Sequence, residues 1–182
     1  MPPVSQLVVN VPTLETNRLR LRGHRLEDYP HSARMWSDPN VTRYIRGTPF
    51  TAEETWSRLL RYIGHWTLLG FGYWVVEQKE DCAFVGEVGF ADYRRDISPS
   101  LEGVPEIGWV LAPNVHGKGL ATEAVQTAVA WADEHLEKRQ TACIIAPDNL
   151  ASIRVAEKAG YRERARTTYQ ANPTVMYMRD PA

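Results

Sequence analysis

The sequence predicts an α/β chain, one mixed sheet with helices on both of its faces. Three observations predict it. Strand-length apolar runs fill the middle of the chain between Phe71 and Leu111. A strongly periodic helix over residues 121–136 follows directly on the last of these runs, and another short apolar run comes after it. The resulting order, β-α-α-β-β-β-α-β-α-β-β, lacks the strict alternation of a βαβ repeat, so the sheet is mixed rather than fully parallel.

Taken in order, residues 1–13 read as a loose arm and residues 14–182 as a single domain. Residues 18–22, Arg-Leu-Arg-Leu-Arg, alternate strictly and read as a half-buried strand. Residues 28–36 read as a short helix with Pro30 near its start. Thr51 and Glu54 have capping-box spacing and open a helix towards Leu69, with Trp56, Leu59, Leu60 and Ile63 as its apolar stripe. Residues 71–77 and 84–93 read as strands flanking a polar turn at Lys79-Glu80-Asp81. Residues 106–111 form the next strand, which Pro113 ends. In the helix at 121–136, Val125, Ala128, Val129, Ala132 and Leu136 recur at helical spacing. Residues 141–146 are a strand, residues 149–159 a helix closed by Gly160, and residues 162–169 and 174–178 a hairpin turning at Asn172-Pro173.

Composition narrows the function. The chain of 182 residues is 43% hydrophobic and 24% charged, which suits a folded domain, and its net charge of −1 gives no general attraction for nucleic acid or membrane. Arg162, Arg164 and Arg166 alternate on one strand without interleaved stacking aromatics, so they read as a solvated face. Cys82 and Cys143 read as free, buried thiols, and no Cys or His spacing fits a metal site. His24, His31, His65 and His135 read as incidental, and Trp36, Trp56 and Trp66 as packing groups. The first residues lack a signal peptide's basic start and apolar run, so the expected location is the cytoplasm.

The segment most informative about chemistry is His116-Gly117-Lys118-Gly119-Leu120-Ala121-Thr122, between a strand and a helix. A helix start offers free N–H groups and partial positive charge, which favour phosphate. Glycines let the backbone aim several amides inward and keep side chains out of the ligand's path. Three readings compete. A nucleotide P-loop would need glycine at 112 and Ser or Thr at 119, where the chain has Ala112 and Gly119. A dinucleotide fingerprint finds its first two glycines, but Thr122 stands in the third place. The plainest reading is a turn before a helix.

Residues 106–113 (Glu-Ile-Gly-Trp-Val-Leu-Ala-Pro), followed by Gly117-Lys118-Gly119-Leu120-Ala121-Thr122-Glu123-Ala124, resemble the first cofactor motif of the GCN5-related N-acetyltransferase (GNAT) family. His116 stands where that motif carries Gln or Arg. Residues 149–161, from Asn149 to Tyr161, resemble the family's second cofactor motif, and residues 38–44 resemble the start of its ribosomal-protein-alanine branch. The resemblance implies a GNAT fold, with a central sheet of about six to seven strands splayed where acetyl-CoA, the co-substrate, lies. It implies that Trp109, Val110 and Leu111 meet the pantetheine arm and that residues 116–122 hold the pyrophosphate. Asn149 and Ser152 would then lie on the opposite side of the cofactor. Asn149 also reads independently as a helix N-cap.

Acyl transfer to an amine needs a proton acceptor, an oxyanion donor and a donor for the leaving thiolate. Glu106 is the first candidate base, Glu87 the second and Asp92 a weaker third. Many relatives carry a tyrosine acid four residues before the glycine of the second motif; here that position is Ala156, so Ser152 is the candidate donor. The implied acceptor is a primary amine, on a small molecule or a protein N-terminus, and the implied assembly a monomer or homodimer. An acyl-CoA-binding module with little turnover is the alternative reading.

Overall fold

A computed structural model describes residues 10–137 and 139–182 of the protein. Its strands are β1 (Leu14–Glu15), β2 (Leu19–Arg22), β3 (Tyr73–Gln78), β4 (Phe84–Ala91), β5 (Glu106–Leu111), β6 (Thr141–Ile145), β7 (Arg162–Tyr169) and β8 (Asn172–Arg179). Its helices are α1 (Tyr29–Trp36), α2 (Pro39–Thr42), α3 (Ala52–Leu69), α4 (Leu120–His135) and α5 (Leu150–Lys158). One eight-stranded sheet has the order β1-β2-β3-β4-β5-β6-β8-β7. The short strand β1 and helix α2 exceed what the sequence predicts, because two- and four-residue elements are too brief to show a period. Of the predicted arm, residues 1–9 lie outside the described residues, whereas Val11 packs on the core and the Pro12 carbonyl accepts from Trp74 Nε1 at 2.8 Å.

Alternation in the strands sorts side chains onto two faces. Leu19, Leu21, Trp74, Val76, Val88, Phe90, Ile107 and Leu111 meet α4 through Ala124, Val125 and Ala128, while Cys143, Ile145 and Tyr177 continue that core under α5. The other face carries Tyr73, Glu87, Glu106, Gly108 and Val110 and is covered by α1 and α3. Beyond it, the connection after β4 lays Ile97 and Leu101 over Ala142 and Met176.

Helix α3 begins with the predicted capping box: Thr51 and Glu54 each accept from the other's backbone N–H. Its buried face, however, is Thr55, Leu59, Tyr62, His65 and Trp66; of the predicted stripe, Trp56, Leu60 and Ile63 are exposed. Both sets recur at helical spacing. The sheet face below α3 is lined by tyrosines and carboxylates, so it selects the helix face that brings matching hydroxyl and imidazole groups. Cys82, expected buried, is exposed in the β3–β4 turn, and Cys143 is buried. The last hairpin turns at Gln170-Ala171, both in left-handed backbone (φ 49° and 63°), while Asn172 and Pro173 already pair in β8. Two consecutive left-handed residues match the twist of a two-residue hairpin turn, which neither residue type advertises.

Candidate active site

All neighbouring strands pair antiparallel except β5 and β6, which run parallel and share a single register pair, Glu106 with Ala142. Beyond it the strands part, whereas β4 and β5 stay paired along six positions. The β6-facing edge of residues 107–110 is therefore a free strand edge, while the Leu111 carbonyl beyond it is taken up by His116. Ligands in α/β sheets collect at the carboxyl ends of such strands. The predicted loop follows β5 and the predicted Asn149 turn follows β6, so both lips of the opening are built from the motifs found in the sequence.

The β5 lip presents open backbone donors. Gly117 and Gly119 both take left-handed backbone (φ 75° and 76°), which glycine adopts at no steric cost. A Cβ on Gly117 would meet open space, so its neighbours leave the loop surface clear. Gly119 is the N-cap of α4 and gives no side-chain cap. Among the described residues, the amides of Gly117, Lys118, Gly119, Leu120, Ala121 and Thr122 have no protein acceptor. His116 Nε2 donates to the Leu111 carbonyl at 2.9 Å, fastening the loop to the end of β5. Arg18, which the sequence did not single out, braces the loop from the turn just before β2. Its Nη1 donates to the Lys118 carbonyl at 2.9 Å and its Nε to Glu123 at 2.7 Å. A groove of about 560 Å³ runs from Gly119 along α4, lined by Arg18, Thr122, Gln126 and Ala130.

On the β6 lip, Asn149 caps α5 by accepting from the Ser152 N–H at 3.2 Å. The cap uses only the side-chain oxygen, leaving the amide hydrogens for a ligand. Ser152 is half-buried and Ala156, one turn on, is fully buried. The position where relatives carry a tyrosine thus faces the core and offers no donor.

The candidate bases sit in different surroundings. Glu106 marks the vertex of the split and is 7% exposed. It accepts from Arg95 Nε at 2.6 Å and Nη2 at 2.8 Å. Arg95 in turn lies over the rings of Tyr93 and Tyr169, at 4.4 and 4.9 Å. Glu87 is 1% exposed, and its two oxygens accept from Ser32 Oγ at 2.6 Å and Trp36 Nε1 at 3.0 Å. His24 Nε2 stands 3.7 Å from it, beyond hydrogen-bond length. Burial alone would raise the Glu87 pKa, but the facing His24 and the Ser32 and Trp36 donors outweigh it and hold the carboxyl below its ordinary value. Asp92 is engaged by the Arg94 backbone and side chain.

Sequence reasoning missed two phenols. Tyr73 and Tyr93 hydroxyls meet at 3.1 Å, and a Cβ on Gly108 would collide with the Tyr73 hydroxyl. Burial raises both pKa values, so both remain protonated donors. Their only sequence sign was a glycine inside a strand, which marks close approach of another group.

The family description "Acetyltransferase (GNAT) domain" matches residues 18–162. The chain belongs to the GNAT family. It is 32% identical over 152 residues to the uncharacterized N-acetyltransferase p20 of Bacillus licheniformis, covering 83% of each chain. The crystal structure of an acetyltransferase from Agrobacterium tumefaciens superposes with a TM-score of 0.80 at 25% identity, over 96% of this chain and 98% of that one. RimL, a ribosomal L7/L12 alpha-N-protein acetyltransferase solved with coenzyme A, shares the fold at a TM-score of 0.76 and 16% identity, over 93% and 98%. The chain is thus a GNAT-family N-acetyltransferase, and its eight-stranded sheet has the splayed parallel pair that the resemblance implied.

Proposed function

We propose that this GNAT chain moves the acetyl group of acetyl-CoA to a primary amine by direct transfer within a ternary complex, in the cytoplasm. The observation that carries the reading is the uncapped start of α4, with its ring of unpartnered amides, at the open end of the β5/β6 split. That arrangement favours a pyrophosphate. Residues 116–122 hold it, with Lys118 adding a positive charge. The free edge of β5 at Trp109, Val110 and Leu111 pairs with the amide-bearing pantetheine arm, and Asn149 and Ser152 line the far side.

Acetyl-CoA supplies the activated acetyl group as a thioester. The chain's own groups supply position and proton handling. A side-chain amine, with a reference pKa near ~10.4, or an α-amine near ~8 must lose a proton before attack. Glu106, at the vertex, accepts that proton directly or through water once Arg95 swings aside. A backbone N–H on the free edge of β5 polarises the acetyl carbonyl. The Ser152 hydroxyl, which has no protein partner among the described residues, donates to the departing sulfur in place of the tyrosine that Ala156 replaces. Glu87, with both oxygens engaged, anchors α1 to the sheet.

A second reading, an acyl-CoA-binding partner with little turnover, draws on two observations: the tight Arg95 grip on Glu106 and the buried methyl at position 156. Thiol release from acetyl-CoA across a panel of amines, beside calorimetric titration with CoA, separates the two. Acceptor-dependent release is the expected result. CoA binding without such release would favour the second reading, and absence of CoA binding would remove both.

A further inference from the structure

The sheet face that carries Glu106 and Gly108 also holds a cation without a counter-ion. Arg58 of α3 lies against the edge-to-face pair of Trp36 and Phe50, its guanidinium carbon 3.9 Å from the centre of Trp36 and 4.6 Å from that of Phe50. Its Nη1 donates to the Tyr62 hydroxyl at 3.2 Å, and its Nε is buried with no partner. Among the described residues no carboxylate lies within ion-pair distance of it. Residues 1–9 and Lys138 contribute no Asp or Glu either. Glu87, whose charge acts on Arg58 from a distance, is engaged by Ser32 and Trp36, and Glu106 by Arg95. Arg61, one turn along α3, stacks over Tyr93 at 5.3 Å and likewise makes no ion pair among the described residues.

A guanidinium stays charged at any physiological pH, so burial cannot neutralise it. Proteins keep buried charges paired and hydrogen-bonded, because an unpaired one forfeits its hydration. Ring stacking restores only part of that loss. Arg58 is half-buried with its Nε unsatisfied, so the group is open to pairing with an anion from outside. It is also connected to the reaction centre. The Tyr62 ring stacks on Tyr73 at 4.2 Å, the Tyr73 hydroxyl meets that of Tyr93 at 3.1 Å, and Tyr73 abuts Gly108 on β5, two residues from Glu106.

Resting on the acetyl-transfer reading above, we infer that the acceptor is a small amine that also carries a carboxylate, an amino acid or close relative, whose carboxylate pairs with Arg58 while its amine faces Glu106. The carboxylate forks onto the planar guanidinium that Trp36 and Phe50 hold in place, which fixes the amine's position relative to β5. A polyamine meets repulsion from Arg58 and Arg61 instead.

The test compares matched pairs by acceptor-dependent thiol release: phenylalanine with phenethylamine, and leucine with isopentylamine, with spermidine and an alanine-initiated peptide amide as further acceptors. The carboxylated member is expected to have a kcat/KM about ten- to a hundredfold higher. In Arg58→Met that preference collapses towards one, mainly through KM, and Arg58→Lys retains part of it. A preference for the decarboxylated amines, spermidine or the peptide, or a preference that persists in Arg58→Met, would overturn the inference. Calorimetric titration of the same pairs into CoA-saturated protein needs no turnover. Carboxylate-dependent binding lost in Arg58→Met supports the inference even where no acetyl group moves, which isolates a failure of the transfer reading. No carboxylate-dependent binding in the wild type overturns it. CoA affinity and thermal midpoint establish that each variant is folded.

Discussion

Replacing Glu106 with Gln separates its proposed role as base from its visible role as ion-pair partner. The substitution keeps the shape but removes the charge that Arg95 grips at 2.6 and 2.8 Å. Removing one member of a buried pair costs about 3–5 kcal/mol when the other is fully enclosed. The Arg95 side chain is 20% exposed and rests on two tyrosine rings, so a loss of about 1–3 kcal/mol is expected. For a chain of this length that lowers the thermal midpoint by roughly 3–10 °C. Loss of a general base lowers turnover by about 10²–10⁴-fold. The double variant Glu106→Gln/Arg95→Met removes both charges and recovers stability, because no unpaired guanidinium is left behind. Its turnover stays low if Glu106 is the base. Thermal melts and thiol-release rates at saturating acetyl-CoA on the single and double variants decide the matter. Recovery of turnover along with stability in the double variant would refute the assignment and leave Glu106 a purely structural carboxylate.

Other expectations concern the loop and the pH response. Gly119→Ala places a Cβ in left-handed backbone, with no atom nearer than 3.7 Å, so the expected penalty is the ~1–2 kcal/mol of backbone strain rather than a clash. Calorimetry should show weaker CoA binding and melting a midpoint lowered by a few degrees; unaltered affinity would remove the loop from the cofactor site. Arg18→Met frees the Lys118 carbonyl and should raise KM for acetyl-CoA severalfold with kcat little affected. Since the Arg18 side chain is 51% exposed, stability should change by less than about 1 kcal/mol. An equal fall in kcat would show that the brace acts on the chemistry instead. The pH dependence follows from carboxylates held below their ordinary pKa. Asp28 is one, where burial is outweighed by Arg22; Glu87 and Asp133, the latter held by Arg179, are others. Such groups stabilise fully above the unfolded value of about 4 and lose that contribution as pH falls through the lower folded value. Thermal midpoints should therefore be level above about pH 5 and fall below about pH 4. Glu87→Gln should flatten the acid limb, and an unchanged slope would contradict that origin.

Much of this fold was legible because its signals are local. The capping box at Thr51 and Glu54, the Asn149 cap and the glycine pair at 117 and 119 each act within a few residues, and each forms as spaced. The face of α3 was not legible. Trp56, Leu60 and Ile63 look more apolar than Thr55, Tyr62 and His65, yet the latter group is buried. His65 meets the Asp92 carbonyl and Tyr62 stacks on Tyr73, partners that reach α3 only through the sheet. Gln170 and Ala171 gave no sign of a turn for a similar reason: strand pairing between β7 and β8 imposes their left-handed backbone.

By itself, then, the sequence determined the order of the longer elements, the glycine-bearing start of α4 and the family, since each rests on spacing along the chain. The tertiary structure decided the state of the groups that would do the chemistry. Whether Glu106 is free or gripped, whether the Glu87 oxygens are free or engaged, and whether Arg58 has a counter-ion depend on partners 11, 55 or more positions away, or on none at all. A carboxylate's reactivity is set by burial and by the charges facing it. Those are properties of the assembled sheet and its covering helices, and no spacing along the chain encodes them.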